Sequence, residues 1–151
     1  MQIAIEFDNT NTAIEIHQVD MIGIVPKLYT FFMRQLADLI DIGYALPNLT
    51  YTDNDGAVYA MIDDKIVGAI VYTLGGPSHR NGSASITLST VDNDFRKRGI
   101  YSVLYKHFEI VLKQLDVKVV TGMVHTENKA GLDSAMKMGR VHIFNYMVKN
   151  I

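Results

Sequence analysis

One stretch constrains this chain more than any other: Val91-Asp92-Asn93-Asp94-Phe95-Arg96-Lys97-Arg98-Gly99-Ile100-Tyr101-Ser102-Val103-Leu104, where a strand end passes through a short basic turn into a helix. Upstream, Ala84 to Val91 alternates with the two-residue period of a strand, with Ile86 and Leu88 facing one way. Downstream, Val103, Leu104, Phe108, Val111, Leu112 and Leu115 form one apolar stripe at helical spacing, and Lys106, Glu109 and Lys113 lie off it. Val117 to Val124 then reads as a buried strand. Strand, helix and strand in this order place the helix on a sheet face. The junction also points several backbone N–H groups at one spot, because the first turn of a helix leaves its donors unpaired and carries partial positive charge. An anion held there gains hydrogen bonds of about 1.5–3 kcal/mol each, and a diphosphate fits. Gly99 leaves the backbone open to close approach, while Arg96, Lys97 and Arg98 add an attraction that salt weakens.

The rest of the chain supplies the sheet. Residues 2 to 7 set Gln2, Ala4 and Glu6 against Ile3, Ile5 and Phe7, and Asp8-Asn9-Thr10-Asn11 turns the chain before a second strand from Ala13 to Val19. Pro26 suits the first turn of a helix carrying Leu28, Phe31, Phe32, Leu36, Leu39 and Ile40, which Gly43 ends. Pro47-Asn48 and Asp53-Asn54-Asp55-Gly56 are turns, after which Ala57 to Ile62 and Ile66 to Thr73 flank Asp63-Asp64-Lys65 as an antiparallel hairpin. Leu74 to Ser83 reads as a loop, Asn128 to Met138 as a second helix after the basic turn, closed by Gly139, and Val141 to Val148 as a last strand. This order predicts an α/β sandwich around one mixed sheet, a single domain over residues 1–151.

Composition narrows the chemistry. With 48% hydrophobic residues in 151, the chain can bury a core without disulfide or metal staples. It has no cysteine, which removes thiol nucleophiles and thiolate metal sites together. His17, His79, His107 and His142 are scattered without ligand spacing, so no metal site is expected. A net charge of −2 supplies no global field for nucleic acid or an anionic membrane, and no aromatic residues interleave with the cations of the turn. Glu6 and Asp8 stand where a signal peptide needs basic then apolar residues, and no uncharged run reaches membrane-spanning length, so a soluble cytoplasmic protein is expected. The eight methionines read as gap-filling core.

Taken together, these residues resemble the GNAT superfamily of N-acetyltransferases, whose pyrophosphate loop reads Arg or Gln, two residues, Gly, one residue, Gly or Ala. Arg96 and Gly99 match the first two named positions, while Tyr101 stands where the pattern has a small residue. Asn128, with Gly139 eleven residues on, matches the spacing of the family's later helix, Arg140 standing where Phe is common. The hairpin Met61 to Ile70 is similar to the family's second and third strands, so the resemblance runs from about Ala57 to the C-terminus. It implies a GNAT-like mixed β-sheet with a splayed central strand pair, Ala84 to Val91 and Val117 to Val124, and helices on both faces. It also implies acetyl-CoA, or another acyl-CoA, as cofactor. The pantetheine arm would contact Ser89, Thr90 and Val91, the pyrophosphate Arg96, Lys97, Arg98, Gly99, Ile100, Tyr101 and Ser102, and the later helix would add Asn128. The implied activity is acyl transfer to the primary amine of a small molecule or peptide, by direct attack on the thioester.

The chain also departs from that pattern. The family's usual general acid, a Tyr seven residues after the helix-opening Asn, is replaced by Ala135, and Ala84 to Val91 holds no carboxylate to act as base. His125, at the end of the strand facing the gap, is the expected substitute base, with Glu127 as its alternative, since histidine titrates nearest neutral pH. Ala135 favours a second reading, a degenerate member that binds acyl-CoA or a partner protein without turnover, while the intact loop favours the first. Nothing in the first helix, the loop 74–83 or the last strand carries a chemical signature for the acceptor. An unpaired sheet edge at either end offers a route to a homodimer.

Overall fold

The alternating residues at the start of the chain pair as two antiparallel strands, β1 (Gln2–Phe7) and β2 (Ala13–Val19), in a computed structural model that describes residues 1–41, 52, 55–75, 82–124 and 128–141. Asp8 closes the turn between them, its carboxylate accepting from the N–H groups of Thr10 and Thr12 at 2.8 and 2.9 Å. A short 3-10 turn at Ile22–Ile24 leads to α1 (Pro26–Asp41), with proline at the first helical position, where its missing N–H costs nothing. The hairpin β3 (Gly56–Ile62) and β4 (Lys65–Leu74) turns on Asp63 and Asp64, both with positive φ, as a tight hairpin turn requires. There follow β5 (Ser83–Val91), α2 (Ile100–Gln114), β6 (Val119–Gly122) and α3 (Lys129–Lys137). The strands lie in chain order across one sheet, antiparallel through β5, with β6 parallel to β5.

Each face of the sheet buries a separate core. On one face Leu28, Phe31 and Phe32 of α1 pack with Ala69, Val71 and Leu88. On the other, Ile100, Leu104, Phe108, Val111 and Leu112 of α2 pack with Ile14, Ile70 and Tyr72. Gly68 permits this second contact: a Cβ there would stand 2.9 Å from the Leu104 Cδ1. The helices therefore lie on both faces, as expected. The amino-terminal hairpin is fastened to α2 by Glu6, which accepts from Lys106 Nζ at 2.8 Å and lies 2.7 Å from His107 Nε2. Those two bonds hold the Glu6 carboxyl below the ordinary glutamate value.

Three expectations need correction. The strand anticipated from Val117 to Val124 is only Val119–Gly122, the last in the sheet among the described residues, and Val119 is 54% exposed. It is short because its pairing with β5 stops at Ile86↔Gly122. Most methionines are not core: Met1, Met21, Met33, Met123 and Met136 are exposed, and only Met61 and Met138 pack against the clusters among the described residues. Apolar composition gives no orientation here, and a folded surface always carries some apolar side chains. Leu115 ends the predicted stripe of α2 but is 41% exposed just past its last turn. The anticipated stop at Gly43, the Pro47-Asn48 turn and, past Val141, the strand to Val148 lie outside the described residues.

Candidate functional site

The site begins with an irregularity in β5. Its pairs with β4 run from Val71↔Leu88 directly to Tyr72↔Ile86, so Thr87 is one extra residue on β5, and its hydroxyl reaches the Val71 carbonyl at 3.3 Å. Such a bulge bends the strand and inverts the side-chain alternation beyond it. Ile86 consequently packs on the α2 side and Leu88 on the α1 side, not on one face as the simple alternation suggests. The parallel pairs between β5 and β6 run from Ser83↔Val119 to Ile86↔Gly122 and stop at the residue before the bulge. β5 nevertheless continues to Val91. One backbone edge of Thr87 to Val91 thus faces no strand among the described residues, which is the splayed pair. A ligand with amides in an extended chain can pair with such an edge. Along it Ser89 is exposed, the Thr90 hydroxyl donates to Gln35 Oε1 at 3.2 Å, and Val91 is buried.

The free edge leads into the basic turn. Buried Asp92 anchors its start, accepting from Asp94 N–H at 3.1 Å and pairing with Arg34 at 2.7 Å and Lys65 at 3.3 Å. Arg96 is exposed and folds its Nε back onto the Val91 carbonyl at 3.0 Å. Lys97 at φ 60° and Gly99 at φ 80° are left-handed, and alternation of this kind curls the backbone so that N–H groups converge on one concavity. The N–H groups from Lys97 to Ser102 find no acceptor among the described residues. Unpaired donors at a helix start, an exposed Lys97 and Arg96, and the adjoining free strand edge fit the diphosphate and amide-bearing arm of an acyl-CoA.

The predicted contact residues divide by what they can offer. Ile100 is buried and Tyr101 packs on the α2 core 6.1 Å from Tyr105, so each presents its backbone to the concavity. Ser102 is exposed on the first helical turn. Arg98 differs from its neighbours: its guanidinium is engaged by Asp8 at 2.6 Å, reaches the Thr10 hydroxyl at 3.3 Å and lies 5.0 Å from the Phe95 ring centre. Asn128 caps α3, its Oδ1 accepting from Gly131 N–H at 2.9 Å. Ala135 is buried, and no phenol stands in its place. Arg140 lies against Gly122, where a Cβ would overlap its guanidinium, so the long cation occupies the space beside the last β5–β6 pair. His125 and Glu127 lie outside the described residues.

Nothing in the sequence singles out Asp8, which is 90 residues from its partner Arg98. Burial alone would raise its carboxyl, but hydrogen bonds from Thr12 N–H, the Thr10 hydroxyl, Arg98 and Thr10 N–H outweigh that and hold it at about 2, against an ordinary value of 3.8. A depressed carboxyl contributes stability above the unfolded value and loses it as pH falls through the folded one. Thermal unfolding followed from pH 6 to pH 2 should therefore show wild type losing stability most steeply below pH 4. Asp8→Asn should be weaker at pH 6 and decline less; two parallel curves would show that Asp8 is not the titrating group.

A model of the acetyltransferase (GNAT) family matches residues 25–139, and the chain belongs to that family. No curated protein sequence matches it. Among solved structures, an aminoglycoside acetyltransferase from an uncultured soil metagenomic sample, in complex with sisomicin, is similar at a TM-score of 0.65 and 17% identity, covering 90% of this chain and 97% of that one. An aminoglycoside N-acetyltransferase in complex with CoA is similar at 0.62 and 16%, covering 90% and 98%. A ribosomal-protein-alanine N-acetyltransferase from Brucella melitensis biovar Abortus 2308 is similar at 0.60 and 15%, covering 91% and 99%. At these identities the likeness is one of fold.

Proposed function

We propose that this chain moves an acetyl or related acyl group from acyl-CoA, acetyl-CoA in the first instance, to a primary amine of a small molecule or peptide. The observation that carries the reading is the continuity of two features: the edge of β5 from Thr87 to Val91, which faces no strand among the described residues, runs straight into a turn whose N–H groups from Lys97 to Ser102 find no acceptor among them. The coenzyme supplies an acyl group already activated as a thioester. The chain's part is to hold it: β5 backbone pairs with the arm, and the turn with Arg96 and Lys97 binds the diphosphate. Amine-modifying enzymes among the structural relatives support an amine acceptor. No helix among the described residues is long and apolar enough to cross a membrane, and we place the protein in the cytoplasm.

An alkylamine with a pKa of about 10.4 is mostly protonated at neutral pH, and freeing its lone pair costs roughly 4.6 kcal/mol at pH 7. We assign that proton to His125, with Glu127 as the alternative acceptor. His125→Ala should lower the rate by about 10²–10⁴ and remove the limb of the pH profile near neutrality. An unchanged rate and profile would exclude it.

Buried Ala135 favours a second reading, a binder of acyl-CoA without turnover. Incubation with acetyl-CoA and a panel of amines, with free thiol as the readout, separates the two. The enzyme releases thiol with at least one amine; the binder gives only a stabilisation, about 2.7 kcal/mol at a hundredfold excess over Kd. Neither thiol release nor stabilisation would remove both.

A further inference from the structure

The turn between β1 and β2 lies outside the family match, which begins at residue 25, yet it is built into the start of α2. Asn9 N–H donates to the Arg98 carbonyl at 3.0 Å. Asp8 takes the Arg98 guanidinium at 2.6 Å. The Asn9 carboxamide lies directly beside Gly99: from the point where a Cβ on Gly99 would stand, Oδ1 is 2.9 Å away and Nδ2 3.3 Å. Gly99 is the N-cap of α2 and offers no side chain to its unpaired N–H groups. The carboxamide beside it is exposed and makes no hydrogen bond of its own among the described residues.

Granting the acyl-CoA reading above, we propose that this turn is the second wall of the phosphate site, with Asn9 donating its side-chain amide to the bound diphosphate and Asp8 positioning it. Three features converge on that role. An Asn side chain carries two donors, and with no partner among the described residues its amide is free to turn them towards an anion. The backbone beside Asn9 is held in place, since the buried Asp8 carboxylate is bonded to Thr10, Thr12 and Arg98, so the Asn9 side chain is what remains to be ordered on binding. Arg98, moreover, is neutralised by Asp8, which leaves Arg96 and Lys97 as the exposed cations of the turn and gives an added neutral donor more weight. The Gly99 position then has a second rationale: its missing side chain makes room for Asn9 as well as for ligand.

The test is calorimetric, on the whole chain, with CoA, inorganic pyrophosphate and pantetheine as three separate probes against wild type, Asn9→Ala and Asn9→Asp. Loss of a hydrogen bond to a charged group weakens binding roughly tenfold to a hundredfold, so Asn9→Ala should lose that much for CoA and for pyrophosphate, and nothing for pantetheine. Asn9→Asp should lose more, and its deficit should shrink as salt is raised, because it sets a carboxylate against the anion. The thermal midpoint without ligand should be unchanged in Asn9→Ala, as expected for an exposed side chain. Wild-type CoA affinity in both variants would overturn the inference while leaving the acyl-CoA reading intact. An equal loss for pantetheine would also overturn it, since the effect would then be a general distortion. Failure of wild type itself to bind CoA would overturn both.

Discussion

Gly99→Val should abolish CoA binding, with an expected loss of about 10²–10⁴ in affinity, equivalent to two charge-assisted hydrogen bonds. The cause is local and double. At φ 80° a β-branched residue incurs the left-handed penalty of about 1–2 kcal/mol, and its Cβ would stand 2.9 Å from Asn9 Oδ1. Rotating the backbone to relieve the strain redirects the N–H groups that face the anion, and turning the exposed Asn9 carboxamide aside takes its donors away from the same place. Gly75 provides the control. It has nearly the same φ, 79°, but a Cβ there would meet nothing within 4 Å, so Gly75→Val imposes the backbone cost without the collision. Titration of both variants with CoA, alongside unfolding without ligand, should show a shared modest destabilisation and a binding loss confined to position 99. Full CoA affinity in Gly99→Val would remove the diphosphate from this turn.

The same turn shows what a sequence can disclose. Its donors and cations are contiguous from Arg96 to Ser102, so their convergence follows from local chain geometry and is readable without a structure. So are the helix stripes and the hairpin on Asp63-Asp64. The bulge at Thr87 is different. Ser, Thr and apolar residues through β5 fit either register, and only pairing with β4 decides that Ile86 and Leu88 face opposite cores. That decision matters functionally, because it is where β6 leaves the sheet. Asp8 and Asn9 are equally silent: a polar cluster between two strands reads as a turn, and its partner Arg98 is distant in the chain. By sequence Arg98 is one of three contiguous cations with nothing to distinguish it, whereas its carboxylate partner makes it a fastener. Chemistry carried by neighbours in the chain is legible, and pairing across the sheet is not.

The largest effect on stability should come from Phe108→Ala. Phe108 is fully buried on α2, its ring centre 5.5 Å from that of Tyr72 on the sheet and 5.7 Å from that of Tyr105. Truncating such a side chain costs about 3–5 kcal/mol, from lost burial and from the cavity left behind. That is a large share of the roughly 5–15 kcal/mol a domain of this kind has to lose, and at about 2–4 °C per kcal/mol the midpoint should fall by some 6–20 °C. Leu115→Ala tests the same stripe where the sequence overstates it: at 41% exposure the cost should stay below about 1 kcal/mol. Urea unfolding of the two variants should separate them clearly; similar losses would mean that α2 does not dock on the sheet through Phe108. Binding should part company with stability here. Phe108 stands nine residues, about 13 Å along the helix, from Gly99, so the cavity opens well away from the N–H groups of the first turn. Below its lowered midpoint, folded Phe108→Ala should therefore still bind CoA with near wild-type affinity, the reverse of Gly99→Val, because one substitution removes packing that holds the helix down and the other removes the geometry at its tip.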